Sequence, residues 1–157
     1  MLEAIFERGI RGLREARAKG EPETRLEMHS SLVTELFALA AVAYLHVTMS
    51  GALPFLPAVR ASVRRTVAAL CALPEELLIR VSWPFAVAGC MVLEEEREAV
   101  RGVVARAQSG GFNIGTVWKG MLVVEECWRL RDAAGEVAVE VSWVEAMESL
   151  GEKILLC

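Results

Sequence analysis

Two histidines, four cysteines, a single aspartate and one pair of adjacent serines are the side chains in this sequence best suited to bind a metal or make bonds. His29 and His46 fall on one expected helix, about 25 Å apart along its axis. That distance excludes a shared ion and predicts capping or core roles. Cys71, Cys90, Cys127 and Cys157 are widely spaced and include no Cys-x-x-Cys pair. Their spacing fits no zinc site and predicts reduced, mostly buried thiols of an intracellular protein. Ser30 and Ser31 beside His29, with Asp132, have the residue types of a catalytic triad. Neither serine sits in anything like a nucleophile elbow. The run GGFNIGTVWKG at 110–120 is glycine-rich ahead of a helix, but a phosphate cradle follows a buried strand and the preceding pattern here is helical. It reads as a helix–helix turn. No catalytic, cofactor-binding or metal-binding residue is predicted, and the chain reads as a non-enzyme.

Other clusters point to contact rather than chemistry. Arg60, Arg64 and Arg65 form a small basic ridge, read as a solvated helix face or as a contact for a partner's carboxylate or phosphate. Glu94, Arg97, Glu98 and Arg101 can form i,i+3 pairs worth roughly 0.2–0.5 kcal/mol each. Trp83, Trp118, Trp128 and Trp143 could line a ligand cage, but three of them share helix faces with aliphatic residues, which predicts core anchors. The most distinctive string is Trp83 to Cys90. Trp83-Pro84 reads as a helix start, since proline lacks the N–H that a first turn leaves unpaired. Phe85 to Ala88 and Cys90 offer no polar face, so the segment must be buried all round. Gly89 allows a close backbone approach.

The elements that position these residues follow from composition and period. The 157 residues suit one domain with a real core. Apolar residues make up 54 % and mean hydropathy is +0.38, high enough that some surface should face a partner or the rest of a larger assembly. A net charge of −4 argues against broad contact with nucleic-acid phosphates. The charged start predicts no secretory leader. The apolar run from Leu36 to Met49 is shorter than the roughly 20 residues of a membrane span, so it reads as a core helix.

Helical periodicity runs through most of the chain. Leu2 to Lys19 is amphipathic, with Leu2, Ile5, Phe6, Ile10 and Leu13 inward and Gly20 as its stop. Thr24 and Glu27 form a capping box for a long helix to about Thr48, apolar nearly all round after Leu36 and expected at the centre of a bundle. Ala58 to Cys71 follows, burying Val59, Val63, Val67 and Leu70. Pro74 opens a short helix, and Glu94–Glu96 open one running to about Gln108. Asn113 caps a helix from Ile114 to Arg131 that buries Val117, Trp118, Met121, Val124 and Trp128. Residues 136–141 alternate charge and valine, compatible with a short extended stretch. Ser142 and Glu145 form a second capping box for a last helix with Trp143, Met147 and Leu150 inward, closed by Gly151 before an apolar ILLC tail. The fold class is all-α, an irregular bundle of about seven or eight helices in one domain.

These strings also occur in a familiar order: AYLHVTMSG (43–51), LPAVRASVRRTVAAL (56–70), SWPFAVAGC (82–90), the Glu-rich helix, ECWRLRD (126–132) and SWVEAMESLGEKILLC (142–157). In that order they resemble the C-terminal part of the fungal-specific transcription factor domain of binuclear zinc-cluster transcription factors, over roughly residues 30–157. The resemblance implies an α-helical regulatory domain of a nuclear protein controlling transcription by RNA polymerase II. It also implies that the family's two zinc ions and its DNA contacts belong to a separate six-cysteine module, no part of which occurs in this sequence. On that reading this chain carries no cofactor, touches neither DNA nor membrane, and packs against a protein partner or the missing N-terminal half of its domain, under the influence of a small-molecule effector. The alternative from the residues alone is a small helical ligand carrier or enzyme with an apolar pocket near His29, Ser30 and Ser31.

Overall fold

The computed structural model describes residues 1–19, 24–111, 115–135 and 140–151. Among them are eight α-helices and no strand: α1 (Leu2–Ala18), α2 (Arg25–Ser50), α3 (Pro57–Ala72), α4 (Glu75–Leu78), α5 (Ser82–Cys90), α6 (Arg97–Ser109), α7 (Gly115–Ala133) and α8 (Trp143–Ser149). Gly20, the Asn113 cap, residues 136–139 of the alternating stretch and the ILLC tail with Cys157 lie outside the described residues.

Local chemistry accounts for most helix ends. The Thr24 hydroxyl accepts from the Glu27 N–H at 3.3 Å while the Glu27 carboxylate accepts from the Thr24 N–H at 2.8 Å. Ser142 and Glu145 repeat the arrangement at 3.3 and 2.7 Å. Each box satisfies donors that a helix start leaves without partners. Gly51 ends α2 with φ +88°, a left-handed conformation that L side chains resist. Pro57 is the first residue of α3, whereas Pro74 caps α4 from one position earlier than expected. Glu94–Glu96 form a 3₁₀ turn and the α-helix proper begins at Arg97.

The core is built around α5. Ser82, Pro84 and every residue from Phe85 to Cys90 are buried, and α2, α3, α7 and α8 pack against the helix. Gly89 lets α5 and α7 approach closely: a Cβ built there would lie 2.8 Å from Val124 Cγ2 and 3.5 Å from Val100 Cγ1. Helix α7 also satisfies the C-terminal carbonyls of α5, which have no partner within the helix. The Trp128 indole N–H donates to the Gly89 carbonyl at 2.9 Å, and Arg131 Nη2 donates to the Cys90 carbonyl at 2.6 Å.

The expected stripe on α3 is buried, as are Val117, Met121, Val124 and Trp128 of α7. Four expectations need correction. Trp118 is 47 % exposed, because it lies about 100° around α7 from Val117. Leu2 and Ile5 face solvent, leaving Ile10 as the fully buried residue of α1. On α8 the buried position belongs to Ala146, with Trp143 and Met147 half-buried against the core and Leu150 exposed. Helix α2 buries Leu36, Leu39, Ala40, Val42, Ala43 and Val47 against α1, α3 and α5, but Phe37 and Tyr44 reach the surface, so it flanks the core instead of running through its centre. By length and composition α2 could cross a membrane, though much of its apolar face is packed inside the protein.

Candidate interaction surface

The side chains with catalytic types are held apart. His29 Nε2 lies 3.7 Å from the Glu76 carboxylate, and His46 Nε2 lies 3.4 Å from that of Glu3. Ser31 accepts from Arg17 at 2.8 Å, while Asp132 clamps Arg97 through two bonds of 2.6 and 2.7 Å. Among the described residues no three His, Cys, Asp or Glu side chains converge into a metal-binding group. Cys71 is exposed; Cys90 and Cys127 are buried.

The three arginines of the expected ridge separate into two sets of internal ion pairs. Arg60 meets Glu96 at 2.7 and 3.0 Å and Glu95 at 3.1 Å, and Arg64 meets Glu96 at 3.0 Å. Together they clasp the 3₁₀ turn to α3. Burial pushes the Glu96 carboxyl up, but the bonds from Arg60 and Arg64 outweigh it and hold the group below the usual range. Arg65 turns instead to α1 and grips Glu7 at 2.6 and 3.0 Å, which holds that carboxyl low. A partner contact through these arginines would have to displace these pairs. Arg97 pairs with Asp132 in place of Glu94, and both it and Arg101 stack on the Trp128 ring, each guanidinium 5.2 Å from the ring centre.

An open cavity of about 350 Å³ lies between α1, α2 and α3. Leu36, Ala69 and Leu73 contribute to its apolar wall, and Glu35 is the buried carboxylate on its polar side. Glu35 is bonded to Arg14 at 2.6 Å and to Arg17. Burial raises the Glu35 pKa, but the two arginine bonds more than offset this and keep it below the ordinary value. Arg14, Arg17 and Glu35 are thus tied to one another, and Arg65, which also lines the cavity, is held by Glu7.

A different arrangement faces outward. Phe37 stacks on Trp83 with ring centres 5.8 Å apart, Trp83 meets Tyr44 at 6.1 Å, and Tyr44 stacks on Trp143 at 5.5 Å. Four rings from α2, α5 and α8 therefore form one continuous row. Phe37 and Tyr44 are each 39 % exposed, and Trp83 and Trp143 are half-buried beneath and beside them. Trp83 and Trp143 were expected as core anchors; their rings instead join the core to the surface. The missed residues, Phe37 and Tyr44, stand seven apart on α2 and so share a face, a signal present in the sequence. Large rings presented on a rigid frame, with a phenol and two indoles at their edges, are the composition found at protein contact surfaces.

The family model described as the fungal specific transcription factor domain matches residues 5–157. The trichothecene biosynthesis transcription regulator TRI10 of Trichoderma arundinaceum is 31 % identical over 126 residues, covering 80 % of this chain and 30 % of that protein. Its counterpart from Fusarium sporotrichioides is 32 % identical with the same coverage. The ustiloxin B cluster transcription factor ustR of Aspergillus flavus is 33 % identical over 78 % of this chain and 21 % of its own length. The chain therefore spans less than a third of the curated relatives it matches. No solved structure matches it. With the family match covering nearly all of the sequence, including the buried α5 and both capping boxes, this chain belongs to the family of the fungal specific transcription factor domain.

Proposed function

We propose that this chain is a regulatory and protein-interaction domain of a nuclear, zinc-cluster type transcription factor, working with a DNA-binding module supplied elsewhere. The observation that carries the reading is the outward row of Phe37, Trp83, Tyr44 and Trp143, set on the buried α5 of a chain that matches the family over residues 5–157. That row is the contact surface, and its partner is protein, either the remainder of the same factor or a co-regulator. Contact there would mask or release an activation function by shifting a pre-existing balance of states. The chain acts without catalysis of its own. DNA readout is assigned outside this chain, because its net charge is −4 and Arg60, Arg64 and Arg65 are tied to its own carboxylates. The family's zinc ions likewise do not fit these residues, since no Cys-x-x-Cys pair occurs and no ligand group converges among the described side chains. The cavity beside Glu35 is where a small-molecule effector would act on the packing of α1 against α2 and α3.

The test is fusion of this chain to a heterologous DNA-binding module upstream of a reporter, alone and together with the adjoining parts of a full-length relative. A change in reporter output supports the reading. Unchanged output in both settings refutes it.

A further inference from the structure

The cavity between α1, α2 and α3 exists because α3 brings small side chains to it. Arg65, Ala68, Ala69 and Ala72 recur at i, i+3, i+4 and i+7 and so form one stripe of that helix. Apart from three guanidiniums and one carboxylate, the lining is aliphatic. Its charges do not balance. Arg65 gives both Nη atoms to Glu7. Arg14 and Arg17 are left with Glu35 between them, two guanidiniums to one carboxylate. Arg14 donates to Glu35 through Nε, and among the described residues its Nη1 and Nη2 have no partner. Those two atoms form a flat fork that matches a carboxylate through paired bonds. Glu35 is the precedent: only 6 % exposed, it stays ionised because its guanidinium bonds outweigh the cost of burial.

We infer that this cavity binds a monocarboxylate with an aliphatic chain, its carboxylate on the open fork of Arg14 and its chain along Leu36, Ala69 and Ala72. The inference rests on the reading of this cavity as the effector site and supplies the chemical class of the ligand. One negative charge matches the one surplus guanidinium, whereas a second would face Glu35 without a cation to hold it. The aliphatic lining adds affinity with each methylene it removes from water. A molecule seated there touches α1, α2 and α3 together, so its binding draws on the packed arrangement of the three and stabilises it by mass action.

The experiment titrates octanoate into the chain at low salt by isothermal titration calorimetry, beside hexanoate and octanol. Octanoate should occupy a single site. Hexanoate should bind about tenfold more weakly, since each buried methylene contributes about fourfold. Octanol, lacking the charge, should also bind about tenfold or more weakly. Arg14→Gln should weaken octanoate about tenfold and leave octanol unchanged. Ala69→Leu, which fills the cavity, should abolish both. Each variant is verified as folded by circular dichroism; should Ala69→Leu unfold, Arg14→Gln, at a half-exposed side chain, decides alone. No binding at millimolar octanoate, octanol bound as tightly as octanoate, or octanoate bound equally by either folded variant overturns the proposal. A fusion that regulates the reporter but binds no octanoate refutes this ligand class alone. A chain that binds octanoate as described but never alters reporter output keeps the site and refutes the regulatory reading.

Discussion

Replacing Gly89 with alanine tests the packing at the centre of this fold. The new Cβ would stand 2.8 Å from Val124 Cγ2, closer than real Cβ contacts come, and a tight 3.2 Å from Cγ1. Val124 is fully buried and β-branched, so its χ1 cannot readily rotate its methyls away. Overpacking of this kind costs about 1–3 kcal/mol, while alanine in a helix gains roughly 0.5–1 over glycine. Glycine-to-alanine at this position should therefore destabilise by about 1–2 kcal/mol, or lower the melting temperature by roughly 2–8 °C. The assay is urea unfolding followed by far-UV circular dichroism. Val124→Ala alone should cost about 2 kcal/mol for its lost methyls and cavity. The double variant should be milder than the sum by about 1 kcal/mol or more, because the cavity accepts the new methyl. A Gly89→Ala protein as stable as the parent, or strict additivity in the double variant, would show that α5 and α7 do not meet as described.

Glu35→Gln should destabilise by on the order of 1 kcal/mol at pH 7, since it discharges the carboxylate held by Arg14 and Arg17. The folded pKa is depressed, so this stabilisation is full above the unfolded value near 4.3 and is lost as pH falls through the folded one. Parent and variant should therefore draw together in thermal melts as pH falls from about 4.3 through the depressed folded value. Glu126, bonded to Arg129 and to Ser149 at the end of α8, should titrate at about 2 by carbon-detected NMR, and Arg129→Met should move it up toward the ordinary carboxylate range. Trp128→Phe should cost about 1 kcal/mol in chemical unfolding by leaving the Gly89 carbonyl only weaker backbone bonds, such as the 3.5 Å one from the Val92 N–H.

What could be read in the sequence was what local chemistry decides. Thr24 with Glu27 and Ser142 with Glu145 set helix starts through contacts three residues apart, and Gly89 followed from an apolar helix with no other use for a glycine. Long-range partners were another matter. Nothing in Arg65 indicates Glu7, 58 residues away, nor in Arg60 the Glu96 that lies 36 residues on. The stripe of Val117, Met121, Val124 and Trp128 was legible, and Trp118 lies outside it by about 100° of helix rotation. The aromatic row was legible only in halves. Phe37 and Tyr44 lie on a helix apolar nearly all round, and which side stays uncovered depends on how α1, α3 and α5 occupy the others.

The most direct test of the account is reporter output from the DNA-binding fusion carrying Phe37→Ala and Tyr44→Ala together. Both side chains are partly exposed, so the variant should keep its helical spectrum and cooperative melt. Loss of the regulatory effect in that folded variant is the predicted result. An effect equal to the parent's would contradict the assignment of this surface.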